Sequence, residues 1–175
     1  AEKAAIERRD TANVEAYNLY LMAWQQYVNN ARNEEDLRAM EKIVRLCTRA
    51  TEIDPGYAQA WALMAIGQMV LHFTHRREGD GGLKAIERAL ALEPGSAEAH
   101  AIKSKMLWRQ GRHDEAFAEI DVALRLDPDS FEANRTAGLW HMRKRRFADA
   151  VRYYERALTH GEPDFHTTST LATCY

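Results

Sequence analysis

One phrase is written three times in this chain, as Arg49-Ala50-Thr51-Glu52-Ile53-Asp54-Pro55, Arg88-Ala89-Leu90-Ala91-Leu92-Glu93-Pro94 and Val122-Ala123-Leu124-Arg125-Leu126-Asp127-Pro128. Together with Pro163, these prolines stand 39, 34 and 35 residues apart, and similar residues recur between them. A unit of about 34 residues closed by proline cannot bury an apolar face alone, so neighbouring units must stack. The period predicts an all-α solenoid of antiparallel helical hairpins, an architecture used for binding. It leaves the bound partner unnamed.

Composition narrows the function classes. The 175 residues fit one domain and carry enough Ala, Leu, Ile, Met and aromatics to bury a continuous core. With 24 basic and 26 acidic side chains the formal charge is −2, so no overall excess draws the chain to nucleic acid or anionic lipid. Cys47 and Cys174 stand in different repeats where small apolar residues would serve. That argues against a disulfide framework and for a reducing, cytoplasmic setting. No apolar run reaches the length of a membrane span. The charged opening, residues 1–10, lacks a signal core and reads as a linker helix. The chain begins without Met and stops in mid-pattern at Tyr175, as a piece of a longer polypeptide or a processed one would.

The helical period runs through 11–175, with hairpins at about 12–54, 57–93, 97–127 and 131–160 and a terminal helix at 164–175. Val14, Tyr17, Tyr20, Leu21, Trp24 and Val28 fall at spacings of three and four and form the expected apolar face of the first helix. Leu37, Met40, Ile43, Val44, Cys47 and Ala50 define its return partner. That helix is stopped at Asp54-Pro55-Gly56, because proline disfavours helical geometry in the residue before it. Gly79-Asp80-Gly81-Gly82 and Gly111-Arg112-His113 read as turns, and Asp114 as the cap of the helix that follows.

These units resemble the tetratricopeptide repeat, whose pattern sets a large residue, then Leu-Gly, an aromatic, Ala, an aromatic, Ala and Pro. The third unit supplies His100, Lys103, Ser104, Leu107, Ala116, Ile120, Ala123 and Pro128, and the fourth Asn134, Ala137, Gly138, His141, Ala150, Tyr154 and Ala157. The second supplies Trp61, Met64, Ala65 and Gln68, then Gly82, Ile86, Ala89 and Pro94; the first matches through Tyr17, Tyr20, Leu21 and Trp24, then Ile43, Cys47, Ala50 and Pro55. The resemblance covers about Thr11 to Tyr175 and implies a right-handed superhelix acting as a non-catalytic protein-interaction scaffold. His100 and Asn134 depart from the pattern's large apolar residue, which loosens the packing expected there. The phrase Ala16-Tyr17-Asn18-Leu19-Tyr20-Leu21 before a long first turn also resembles the repeat region of large bacterial proteins. In those a winged-helix or nucleotide-cyclase domain precedes the repeats, which implies, as the alternative, a sensory or self-assembly region whose activity is encoded elsewhere.

No catalytic constellation emerges. His72 and His75, followed by Glu78 and Asp80, share a helix face but read as a polar helix end rather than a metal site. The glycine-rich 79–82 turn lacks the Lys-Ser/Thr of a nucleotide loop, and no other cofactor motif is present. His100 and His141 occupy signature positions, where packing is expected. The basic run Arg143-Lys144-Arg145-Arg146 complements a helix C-terminus and is interrupted nearby by Glu98, Glu132 and Asp149. Direct nucleic-acid binding, which needs a basic stripe, is not expected.

The resemblance implies that one face of each first helix lines a concave groove. On the second hairpin that face carries Gln59, Ala62, Leu63, Ile66, Met69 and Val70. The third carries Glu98, Ala101, Ile102, Lys105, Trp108 and Arg109, and the fourth Glu132, Arg135, Thr136, Leu139, Met142 and Arg143. Such a groove, apolar along one side and basic toward its C-terminal end, fits a peptide or helix with apolar residues and acidic flanks, with Trp108 as the strongest anchor. The competing reading is that some of these side chains pack between units. Leu171, Cys174 and Tyr175, on a helix without its return partner, point to a homodimer through the C-terminal helix. Family members that hold acidic chaperone tails clamp two carboxylates with Lys and Asn. Here Glu15, Gln59, Glu98 and Glu132 stand at one clamp position and Asn18, Ala62, Ala101 and Arg135 at another. Such a tail peptide is expected to give no measurable heat of binding; micromolar affinity would refute this reading of the groove.

Overall fold

The computed structural model describes residues 11–29 and 36–160. Among the described residues are eight helices and no strand: α1 (Val14–Asn29), α2 (Leu37–Ile53), α3 (Ala58–Phe73), α4 (Leu83–Leu92), α5 (Ala97–Arg109), α6 (His113–Leu126), α7 (Phe131–Arg143) and α8 (Phe147–His160). Consecutive helices pair as hairpins in an all-α helical-repeat fold. They fall into two compact units, 1–94 with α1 to α4 and 95–175 with α5 to α8. The linker helix at 1–10, the terminal helix at 164–175 and the dimer contact assigned to it lie outside the described residues.

The repeated phrase has a geometric meaning. At the end of α2, Asp54 leaves helical geometry while its N–H still donates to the Ala50 carbonyl at 2.9 Å. Its carboxylate accepts the Gly56 N–H at 2.9 Å, and its carbonyl accepts the Tyr57 N–H at 3.1 Å. Asp127 repeats the device with Ala123, Asp129 and Ser130, and Glu93 keeps the bond to Ala89 at 2.8 Å. One acidic residue thus satisfies the backbone on both sides of a helix stop, and proline enforces the stop.

In the first unit, Asn13 caps α1 by accepting the Glu15 and Ala16 N–H groups, and Asp36 caps α2 through Arg38 and Ala39. The Thr11 hydroxyl donates to the Asp54 carboxylate and ties the entry of α1 to the α2–α3 turn. The face that α1 buries is not the one its large apolar residues suggest. Ala16 and Ala23 are fully buried, while Val14, Leu21, Trp24 and Val28 remain 39 to 56% exposed. Ala16 meets Ala50, Tyr57 and Ala60, with Tyr17, Leu19, Tyr20 and Ile53 packed around them. Alanines admit a close helix approach that a branched side chain would hold off. The same logic holds at Gly67, where a Cβ would stand 2.8 Å from Val44 Cγ2.

In the second unit, Ser96 and Ser130 cap α5 and α7 through the Ala99 and Ala133 N–H groups. Asp114 proves not to be the cap of α6. The cap is Arg112, without a side-chain bond, and Asp114 lies in the first turn, where its charge still meets the positive end of the helix dipole. Ala97, Ala101, Ile120, Ala123, Ala133 and Ala137 pack about Trp140. A buried relay crosses three helices: Trp140 Nε1 donates to Ser104 Oγ at 2.8 Å, and that hydroxyl donates to the Ala116 carbonyl at 2.7 Å. Asn134, fully buried, donates to the Pro128 and Ser130 carbonyls at 2.8 and 2.9 Å. Trp61 does likewise to Pro55 at 3.1 Å. Asn134 thus meets this repeat position through its N–H groups, which return to the proline carbonyl as Trp61 does, while its Oδ1 is left buried without a hydrogen bond.

Gly82 carries the sharpest backbone requirement. Its φ is +86°, and a Cβ would lie 2.5 Å from the Ala65 carbonyl oxygen. Gly82→Ala is expected to cost about 2 kcal/mol or more in chemical denaturation. Gly95→Ala, which meets nothing within 4 Å, should stay within about 0.5 kcal/mol of the parent.

Candidate functional site

Each first helix turns a small residue onto the second helix of its own hairpin. Ala65 lies under Gly82, Ser104 bonds Ala116, and Gly138 faces the Tyr154 ring. Three residues beyond Gly138, His141 meets Asp149 and Tyr153 of α8. In α1 the buried Ala23 holds that place, and Gln26, three residues on, accepts a hydrogen bond from Lys42 of α2. The first repeat is thus registered two residues later than Leu21 and Trp24 suggest. The groove-facing positions of α1 become Tyr17, Tyr20, Leu21, Trp24, Tyr27 and Val28, a strip absent from the sequence-based site. The signal that would have found them is the fully buried alanine, which large neighbours masked. Their rings form a ladder: Tyr20 stacks on Trp24 with centroids 6.3 Å apart, Trp24 and Tyr27 are 5.7 Å apart, and Tyr20 leans on Tyr57 at 5.1 Å.

The other first helices divide the expected site residues. On α3, Gln59, Ala62 and Ile66 are half-buried, whereas Leu63, Met69 and Val70 are buried and act as packing residues. On α5, Ala101 and Ile102 are buried, Lys105 and Trp108 half-buried, and Arg109 exposed. On α7, Thr136 is buried, Arg135, Leu139 and Met142 are half-buried, and Arg143 is exposed. Open surface in the second unit is therefore that of Arg109 and Arg143, with Lys105, Arg135, Leu139 and Met142 half-buried beside it.

Trp108 is not a free-standing anchor. Its ring stacks on Trp140 at 4.2 Å with planes 6° apart, lies 4.2 Å from the His113 ring, and meets Phe117 edge-on at 6.0 Å. The Arg143 guanidinium covers the indole pair, 5.9 Å from Trp108 and 5.6 Å from Trp140. Lys144 similarly places its Nζ 3.8 Å from the Phe117 ring. Half of the basic run is thus held on aromatic faces.

Glu132 gathers the charges of the same face, accepting from Lys105, from Arg135 at 3.2 Å and from Thr136 at 3.4 Å. The Glu98 side chain reaches water, yet the surrounding protein desolvates its carboxyl and raises its pKa, with Lys105 pulling the other way. His100 and Lys103 converge on Glu119 at 2.6 and 2.7 Å. Desolvation would raise the Glu119 carboxyl, but hydrogen bonds from Lys103 and His100 outweigh it and leave the pKa lowered. Burial pushes the Cys47 thiol up to about 12, so it is inert. His72 donates from Nδ1 to the Arg77 carbonyl at 2.8 Å. No group of three or more metal-ligating side chains occurs among the described residues.

Two measurements test this geometry. Trp108→Ala removes one half of an aromatic stack, so it is expected to cost about 2–4 kcal/mol of stability; an unchanged melting temperature would return Trp108 to the open surface. His141 has its pKa lowered from 6.5, first by desolvation and then by Arg146 and Lys144, against Asp149. A lowered histidine pKa means the unfolded chain binds the proton more readily, so this stabilisation is complete above pH 6.5 and is lost as pH falls through the folded value. Stability should decline below that pH, and His141→Gln should flatten this part of the profile.

Comparison with known proteins places this geometry. Residues 75–131 match the tetratricopeptide repeat family model. The human protein O-mannosyl-transferase TMTC1 is 29% identical over 159 residues, which cover 75% of this chain and 18% of that protein. The chain therefore spans less than a fifth of this curated relative. A thermophilic TPR protein of Thermus thermophilus superimposes with a TM-score of 0.65 at 17% identity, over 91% of this chain and 98% of that one. PilF of Pseudomonas aeruginosa gives a TM-score of 0.65 at 20% identity, over 91% and 67%. These structural likenesses speak to the fold.

Proposed function

We propose that this tetratricopeptide-repeat chain is a protein-interaction scaffold without catalysis of its own. Its α5–α7 face takes a peptide or helix that carries apolar residues and an acidic flank. Tetratricopeptide-repeat proteins generally serve as interaction scaffolds; the finer reading is carried by one observation, the Arg143 guanidinium held over the Trp108–Trp140 stack. A cation already held on a rigid aromatic platform loses little side-chain freedom when it meets a carboxylate, so the receptor is preorganised. Leu139 and Met142 supply adjacent half-buried apolar surface. Glu132, at the opposite end of α7, already engages Lys105 and Arg135, so those cations are taken while Arg109 and Arg143 at the C-termini of α5 and α7 face solvent. That polarity sets the direction of the ligand, with its acidic flank toward the C-termini of α5 and α7. The cations engaged on rings and by Glu132 are not arrayed for phosphate tracking, which favours protein over nucleic acid. No described helix is long and apolar enough to cross a membrane.

A library of short peptides with two apolar anchors and a Glu-rich flank, screened by fluorescence anisotropy, tests the proposal. Arg143→Ala should weaken the best peptide at least tenfold, and replacing its Glu residues by Gln should weaken it to the same degree. Equal affinity for the parent and Arg143→Ala proteins would overturn it.

A further inference from the structure

The balanced total charge conceals an uneven distribution within the second unit. Its α5–α6 and α7–α8 turns lie at one end of the stacked hairpins, and residues 109–115 and 143–149 hold six Arg or Lys against three acidic residues. The α6–α7 turn at the other end, residues 127–130, holds Asp127 and Asp129 and no basic residue. The two basic turns adjoin, since Lys144 of one places its Nζ 3.8 Å from the Phe117 ring of α6. Arg112 pairs with Glu115, and Asp149 meets Arg152 and His141, whereas among the described residues Arg145 and Arg146 join no ion pair. Backbone geometry singles out Arg145. It stands at a φ of +60°, in the left-handed region, and the same place one repeat earlier is held by Gly111 at +80°. An exposed arginine gains no packing there and strains a backbone that glycine would leave relaxed. Two residues on, Phe147 keeps 41% of its surface exposed.

We propose that this end of the second unit is a docking edge for an anionic lipid surface, on which the two turns settle with Phe147 entering among the headgroups. Charge sets the sign of the partner, and the arrangement sets its kind. Asp114 and Asp149 stand among the cations, so a polyanion of fixed spacing would bring some of its charges against carboxylates. Lipids diffuse laterally, and anionic headgroups gather under Arg145 and Arg146 while neutral ones lie under the acidic side chains. An exposed aromatic ring beside cations adds an apolar contact that a bilayer interface favours and that a nucleic acid backbone or an acidic tract does not. The acidic opposite turn is repelled by the same surface, which orients the hairpins with their basic turns toward the lipid.

The probes are vesicles of phosphatidylcholine alone and of phosphatidylcholine with about one-third phosphatidylglycerol, cosedimented with the intact chain. Binding is expected to the anionic vesicles only, and it should fall at least tenfold between about 0.05 and about 0.5 M salt, because the contact is electrostatic. A basic residue near such a surface strengthens binding about fivefold, so Arg145→Gly combined with Arg146→Gln should weaken it at least tenfold. Glycine suits the backbone at 145, so the melting temperature of this double variant should equal or exceed the parent's. The variant keeps Arg143 and its indole pair, and the acidic-flank peptide of the α5–α7 face should bind it as before, so the two readings fail independently. Equal binding to neutral vesicles, no binding to anionic ones, or a double variant that binds them like the parent would overturn the proposal. So would capture of duplex DNA or polyglutamate at lower concentration than the anionic vesicles, with the same loss in the variant, since a polyanion of fixed spacing would then be the partner.

Discussion

Everything in this fold depends on how closely two helix backbones can approach within a hairpin. Ala23, Ala65, Ser104 and Gly138 are small for that reason, and each stands where a second helix or its leading turn presses on the first. A side chain of ordinary size there would push the helices apart and open gaps along their whole length, because interiors tolerate few voids. The larger buried residues follow from this spacing. Tyr154 lies flat against Gly138 because a Cβ there would come within 2.9 Å of its ring. Trp140 reaches Ser104 only because that residue is a serine in close contact with α6.

The polar bonds of the turns complete the frame. Asp54 and Asp127 satisfy backbone groups on either side of a helix stop, and Trp61 and Asn134 return N–H groups to the proline carbonyls. Buried backbone groups left without partners would cost more than the turns gain, so proline can end the helix cheaply only with these donors and acceptors in place. That is why the recurring phrase couples an acidic residue to proline and places a donor six residues later.

The period, the prolines and the small residues made the all-α repeat fold legible in the sequence, because repetition averages out local ambiguity. What misled was the register of the first helix. Large apolar residues at three and four spacing normally mark a buried face, and Val14, Leu21, Trp24 and Val28 fit that pattern while remaining exposed. The deciding residue was Ala23, whose small size carries no signal on a hydropathy scale. Trp108 was misjudged for a related reason: its place on α5 was readable, but its stack with Trp140 depends on a partner 32 residues away. Asp114 lost the cap of α6 to Arg112 because the helix begins earlier than the sequence suggests.

The frame and the recognition surface are carried by different positions of the same first helices. Small residues and the turn donors fix the fold, and the exposed positions beside them are left open to chemistry. In α1 those positions hold Leu21, Trp24 and Val28, whereas the corresponding faces of α5 and α7 hold Arg109 and Arg143. A change at an exposed position removes few packing contacts, so it alters what the surface recognises at little cost to the frame. Arg143 marks the boundary of that separation. Its cation faces solvent while its guanidinium lies over the indole pair that closes the core of the second unit, so at this position recognition draws directly on packing.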